Sequence, residues 1–108
     1  MAVKVNRRNL NVTPALLTGG PCTMYALMLV NNTGQDAWVQ LFDSATPGNI
    51  TPSITPPDHT EKVAAGQMIN VPRPANGVFY AQGIVVMSST ADMGNVGSTP
   101  GVHVYAVV

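Results

Sequence analysis

Charged side chains are scarce in this chain of 108 residues. Asp, Glu, Lys and Arg make up only 9% of it, with five acids, five bases and a net charge of zero, whereas ordinary globular domains carry about 25%. Proteins that attract nucleic acids by charge need a strong basic excess, so that class is disfavoured. Because so few charges protect a free monomer poorly against association, we interpret the scarcity as a sign of assembly. The alternative is a small β protein kept in solution by Ser, Thr, Asn and Gln.

Cysteine pairs, long apolar runs and a secretory leader are also lacking. The single cysteine, Cys22, has no partner within the chain, which excludes an intrachain disulfide framework. No stretch approaches the roughly 20 apolar residues of a membrane helix, so we expect no membrane partner. The basic start at Lys4 leads into a mixed segment rather than a continuous apolar region. We therefore expect a soluble protein made in the cytoplasm, without a classical export signal.

Residues that carry chemistry are few. A thiol mechanism would need Cys22 and His103, and nothing in the sequence places them together. The Asp-His-Thr-Glu cluster at 58–61 contains possible metal ligands, but such residues in a proline-bounded loop are more often exposed turn residues. No glycine series leads from a strand into a helix, so phosphate-binding and dinucleotide motifs are missing. We predict that the protein is not an enzyme and uses neither a metal nor another cofactor.

The pattern that is present is typical of an all-β domain. Short runs rich in Val, Ile, Leu and aromatic residues are separated by turn signals about every ten residues, and there is no amphipathic helix of normal length. We predict one domain, residues 1–108, built as a β-sandwich or jelly roll of about seven or eight strands. Residues 1–12 are expected to be an N-terminal arm or an edge strand. In the last strand, from Val102, the even-numbered positions form a uniformly small apolar face, and the odd-numbered ones carry His103 and Tyr105.

The segment from Tyr25 to Asp43 carries the strongest local signal. Two apolar runs flank a polar Asn-Asn-Thr-Gly-Gln-Asp connection, which predicts a β-hairpin with Gly34 in its turn. The first run is apolar on both sides, so both of its faces can be covered. In the second run the odd-numbered residues would face the core. This leaves Trp38 and Phe42 on a partly aromatic outer face that is either wet or meets a partner.

Two further segments have distinct expectations. The Pro-, Thr- and Ser-rich stretch 45–58 cannot be a central strand, because proline has no N–H to donate. Long ordered loops usually have a function or lie against something, so this loop is a candidate contact surface. The segment 62–71 is predicted as two extended pieces that pivot at Ala65-Gly66, with Met68 and Val71 available to the core.

Four segments in this order resemble a known group of proteins. They are Asn-Asn-Thr at 31–33, Ala-Trp-Val-Gln-Leu-Phe-Asp at 37–43, Val-Ala-Ala-Gly at 63–66 and Gly-Ile-Val-Val-Met-Ser-Ser-Thr at 83–90. Together they resemble small all-β virion proteins of tailed bacteriophages, some of which are head decoration (cement) proteins. The resemblance covers about residues 25–90. It is a pattern of strands and turns rather than a catalytic signature.

The resemblance implies a β-sandwich or jelly-roll subunit on the outer surface of the phage head. Such a subunit would be a homotrimer that bridges neighbouring copies of the major capsid protein, without direct contact to nucleic acid. The basic N-terminal cluster would contact an acidic surface, and the lone tryptophan would suit an interface anchor. The contact candidates are Lys4, Arg7, Arg8, Leu10, Trp38, Ile50 and Ile54.

Two other classes of function stay open on the sequence. The domain can be a tail- or fibre-associated recognition module that stacks a host-surface sugar on Trp38, Tyr80 or Tyr105. It can also be a small hydrolase that uses Cys22 or the cluster at 58–61. Binding to a glycan array would favour the first of these, and full activity of a Cys22→Ala variant would argue against the thiol route of the second.

Overall fold

The computed structural model of the protein describes residues 3–91 and 101–108. In this part of the chain the backbone forms ten β-strands and one short 3-10 helix, Pro47–Asn49, and no helix that could cross a bilayer. The strands are β1 (Lys4–Arg7), β2 (Ala15–Gly19), β3 (Cys22–Met24), β4 (Ala26–Asn31), β5 (Ala37–Asp43), β6 (His59–Val63), β7 (Met68–Val71), β8 (Val78–Tyr80), β9 (Gly83–Ser89) and β10 (Val102–Val107). The predicted all-β class is confirmed.

The predicted number of strands is too low. β2 and β3, which lie on either side of the Gly19-Gly20-Pro21 break, are not predicted from the sequence. Both are short, and β2 has a register irregularity between Leu16 and Thr18 where it pairs with β9. Such a bulge interrupts the period-2 alternation by which a strand is recognised.

The strands form two four-stranded sheets and one two-stranded ladder. Sheet I has the order β1-β10-β4-β7, sheet II has the order β2-β9-β5-β6, and β3 pairs with β8. All these pairings are antiparallel. Side chains of both sheets share one buried cluster, which includes Leu27, Leu29, Val102, Val104 and Ala106 from sheet I and Val39, Leu41, Ile84 and Val86 from sheet II. The small apolar face of β10 is therefore buried.

The predicted β-hairpin between β4 and β5 is wrong. β4 pairs with β10 and β7, whereas β5 pairs with β9 and β6, so the connection 31–36 crosses from sheet I to sheet II. The side chain of Asn31 stabilises this crossing: its Nδ2 donates to the carbonyls of Gln35 at 2.8 Å and Val63 at 2.9 Å. Its Oδ1 accepts from the N–H of Thr33 at 2.9 Å. A tight hairpin uses two connecting residues, and this longer turn follows a different path.

Most of the outer face of β5 is covered, contrary to the half-buried strand that its sequence predicts: Gln40 and Phe42 are buried, and Trp38 is half-buried. Phe42 is only 2% exposed, and with Ile50, Val85 and Met87 it forms a second buried cluster, against which Val12 packs. The loop 45–58 supplies Ile50 to this cluster. Alternation along β5 cannot reveal a covering layer that comes from a distant loop.

The connection between β6 and β7 pivots at Gly66, whose φ is +72°, as the glycine in the sequence suggests. β6 and β7 lie at the edges of different sheets. Val71 is buried as predicted, but Met68 is 60% exposed. Met68 pairs with Val30 on β4, and alternation directs its side chain to the face of sheet I that lies away from the core.

Candidate interaction surface

Within residues 3–91 and 101–108, no further strand layer covers the outer face of sheet I. The core-facing residues of β10 are Val102, Val104 and Ala106, so alternation places Tyr105 on the opposite face. The register puts Tyr105 between Asn6 of β1 and Met28 of β4, and Met28 in turn pairs with Asn70 of β7. A row of side chains thus crosses all four strands of the sheet.

This face contains a groove of about 440 Å³. Its side chains are mainly apolar at the centre, with amides and one ammonium group at the borders. Tyr25, at the start of β4, is 49% exposed there. The principal lining residues are Lys4, Asn6, Tyr25, Met28, Asn70 and Tyr105. The sequence does not predict the groove, although the apolar character of both faces of β4 is a signal for it.

A basic border follows the edge strand β1. Lys4, Arg7 and Arg8 are all exposed, and among the described residues none of them forms an ion pair, since the ion pairs there are His59–Glu61 and Lys62–Asp36. Arg7 and Arg8 also line a second, smaller depression of about 160 Å³ at the end of β1. The structure therefore places three of the predicted contact candidates along β1. Lys4 lines the groove, whereas Arg7 pairs with the core-facing Val104 and so lies on the other face of sheet I.

Of the other four contact candidates, Leu10 also lines the smaller depression, and the remaining three lie apart from this border. Leu10 is 2% exposed in the main cluster and Ile50 is 8% exposed in the second, so both support the fold from the interior. Ile54 is 76% exposed in the loop 45–58. Trp38 is half-buried on β5, and the Nζ of Lys62 lies 5.3 Å from its ring centroid.

The carboxylates of the described residues are largely engaged within the chain. Asp36 accepts from the N–H of Ala65 at 3.0 Å and from Lys62 Nζ at 3.3 Å, and these two contacts lower its pKa. Asp43 accepts from the backbone N–H groups of Ala81 at 3.0 Å and Gln82 at 2.8 Å. The Oε1 of Glu61 lies 3.0 Å from the Nε2 of His59.

The residues considered for thiol chemistry lie in different sheets. Cys22 is half-buried in β3, where burial, and secondarily the charge of Asp43, raises the pKa of its thiol. A raised pKa lowers the fraction of the nucleophilic thiolate at neutral pH. His103 is buried in β10 of sheet I, where its Nδ1 accepts from the N–H of Asn9 at 3.0 Å. The geometry therefore does not assemble a thiol–imidazole pair.

The cluster at 58–61 is similarly limited as a metal site. His59 and Glu61 lie side by side at 3.0 Å, but residues 3–91 and 101–108 contain no group of three or more His, Cys, Asp or Glu side chains placed to hold a metal ion. Two ligands from one strand leave most of a coordination sphere to water.

Comparison with known proteins returned no matching family model, curated protein or solved structure. The outer face of sheet I and its basic border are thus the features from which function can be inferred. Apolar concavity next to unpaired cations is typical of a surface for recognition rather than for bond chemistry.

Proposed function

We propose that this protein is a decoration (cement) protein, which binds the outside of a bacteriophage head and stabilises contacts between subunits of the major capsid protein. The observation that carries the proposal is the open, mainly apolar outer face of sheet I in a chain with only 9% charged residues. A surface of this kind is costly to leave in water and is stabilised when another protein covers it. In this proposal sheets I and II are the two layers of a β-sandwich or jelly roll.

The mechanism is the addition of interface area between capsid subunits. The molecule measures 36 × 27 × 19 Å, so its broad faces are large enough for the roughly 800 Å² per partner of a standard interface. As a homotrimer, the protein would present several such faces at once, and binding at many equivalent points turns modest affinity into a stable attachment. The added contacts would oppose the outward pressure of packaged DNA.

The proposal is tested with the purified protein, alone and mixed with undecorated phage heads, by size-exclusion chromatography and light scattering. We expect a trimer in the absence of heads and elution of the protein with the heads after mixing. Heads already saturated with unlabelled protein serve as the control and should take up no more. A monomer that elutes separately from undecorated heads contradicts the proposal.

A second candidate is a tail- or fibre-associated module that binds a host-surface glycan. The observation in its favour is Tyr25, whose half-exposed ring lies in the groove with the amides of Asn6 and Asn70, a combination suited to a sugar. Of the stacking residues considered earlier, Tyr80 is 2% exposed and unsuitable. Binding to a glycan array that disappears in Tyr25→Ala would favour this candidate over the cement protein.

A further inference from the structure

We propose that the edge of β1 and the adjoining groove form a docking site for an extended, acidic segment of a partner protein, which adds to sheet I as a further strand. This inference deepens the proposed function. The identification of the partner as a capsid subunit rests on that function. It assigns a surface, a binding geometry and a chemistry to the contact.

The backbone of β1 is prepared for strand addition. Val3 and Val108 exchange both of their backbone hydrogen bonds, at 2.6 and 2.8 Å. In an antiparallel ladder such pairs alternate with pairs that direct their N–H and C=O groups away from each other. The register therefore turns the N–H and C=O groups of Lys4 and Asn6 outward from the edge of sheet I. A fifth strand can bond to these groups.

The two depressions match the side-chain alternation of such a strand. The groove begins beside Lys4 and Asn6, and the smaller depression lies at Arg7 and Arg8. Four residues of extended chain separate Lys4 from Arg8, a span of about 13 Å. A segment of about five residues that runs along β1 can thus place an apolar side chain in the groove and carboxylates near the cations at both ends.

Charge complementarity identifies the occupant as acidic. Three of the five Lys and Arg residues of the chain lie in residues 4–8, and none of the three forms an ion pair among the described residues. Arginine and carboxylate groups form bidentate, charge-assisted hydrogen bonds. Carboxylates of a bound strand would therefore pair with cations that are exposed to water in the monomer.

A second copy of this chain is a poor source of these carboxylates. The chain has five acidic residues; Asp36, Asp43 and Glu61 are engaged internally, as described above, and Asp92 lies outside the described residues. Among the described residues, only Asp58 is left for an intermolecular role. Nucleic acid is also disfavoured, because the groove beside the cations is mainly apolar and the net charge is zero. A different protein therefore fits best.

The first test uses a blocked peptide of about ten residues that alternates Glu and Val. Amide NMR signals of the full-length protein are followed during titration with this peptide, with its Lys-for-Glu counterpart and with a single-stranded oligonucleotide. We expect the Glu peptide to shift the signals of β1 and of Tyr105, and its affinity to fall several-fold between about 50 and 300 mM salt. Equal binding of the Lys peptide, tighter binding of the oligonucleotide, or shifts confined to other strands would overturn the assignment.

The second test compares two double variants on undecorated heads. Lys4→Gln with Arg7→Gln removes two cations from β1, and the matched control, Lys62→Gln with Arg73→Gln, removes two from elsewhere. We expect the first variant to lose at least tenfold in affinity and the control to change little. If both variants bind heads as the wild type does, the assignment of the contact to β1 is wrong, but the proposed cement function is not contradicted. If neither the wild type nor the variants bind heads but the Glu peptide binds β1, the proposed cement function is wrong, but the docking site on β1 is supported.

Discussion

At the scale of single residues, the connection between the sheets depends on one buried amide. Asn31 is fully buried, and its side chain bonds to the backbone of residues 33, 35 and 63. The carbonyl of Val63 belongs to the edge strand of sheet II, so this amide links the end of β4 to β6. Removing it leaves buried backbone groups without partners, which costs more than the hydrogen bonds themselves contribute.

The Asn31→Ala variant should therefore lose about 2–4 kcal/mol of unfolding free energy. The measurement is equilibrium urea unfolding followed by tryptophan fluorescence. Asn32→Ala is the matched control, because Asn32 is exposed and its backbone N–H, not its side chain, donates to the carbonyl of Gly101. The unfolding free energy of this control should stay within about 0.5 kcal/mol of the wild-type value. A loss in Asn31→Ala no larger than in the control would contradict the role of this amide.

His103 gives a second prediction at this scale, on pH. Burial, and secondarily the charge of Arg8, lowers the pKa of His103 below its ordinary value of about 6.5. Its Nδ1 accepts from Asn9, so protonation there also removes a hydrogen bond. The unfolded chain binds the proton more readily than the folded one, so the free energy of unfolding should fall as the pH drops below about 6.5 and be fully present above it.

The check is urea unfolding at about pH 7.5 and pH 5 of the wild type and of His103→Asn. The asparagine Oδ1 can accept from Asn9 at either pH and cannot gain a charge. We expect the wild type to lose more stability between these two pH values than the variant does. Identical losses would show that another group dominates the acid dependence.

At the scale of elements, the loop 45–58 is the clearest case of a structural role that the sequence conceals. Its prolines correctly exclude a central strand, and Ile50 and Ile54 look alike as apolar residues in a polar segment. In the structure Ile50 is 8% exposed beneath the loop, and Ile54 is 76% exposed. Ile50 closes the outer face of sheet II, and Ile54 is free for contact with a partner.

Substituting these two isoleucines by alanine should separate their roles. Ile50→Ala leaves a cavity beside Phe42 and should cost about 2–4 kcal/mol of unfolding free energy. Ile54→Ala should change stability by less than about 0.5 kcal/mol. Thermal and urea unfolding of both variants provide the measurement. Similar losses for the two variants would contradict the placement of this loop over sheet II.

The same elements show what local sequence can predict. The small apolar face of β10 and the pivot at Gly66 are set by alternation and backbone geometry, which act over a few residues. The structure buries that face and confirms the predicted pivot. The path of the connection 31–36 and the cover over Phe42 depend on contacts between distant segments. Turn-forming residues such as Asn and Gly suit a hairpin and a crossing equally, so the sequence alone does not decide between them.

Only the local part of the candidate interaction surface is predictable from the sequence, because the rest depends on contacts between distant segments. The cluster of Lys4, Arg7 and Arg8 is local in sequence, so the sequence alone predicts it as a contact candidate. The groove beside it combines residues of β1, β4, β7 and β10, and its shape depends on the order of strands in sheet I. That order places Asn6, Tyr105, Met28 and Asn70 in one row, which no local pattern reveals.

At the scale of the whole molecule, the net charge of zero conceals an uneven distribution. The bases at β1 are unpaired among the described residues, whereas most carboxylates have partners within the chain. The apolar groove adjoins the basic border. A molecule with this arrangement has one surface suited to an acidic protein partner, and attachment there adds contact area without any chemical step.

The most direct measurement of the proposed function is a binding isotherm of the fluorescently labelled protein on purified, undecorated heads. We expect saturation at a fixed number of copies per head, displacement by unlabelled protein, and a higher temperature of head disruption at saturation. Non-saturable binding, or heads that take up no protein above the level of an unrelated β protein, would contradict the account.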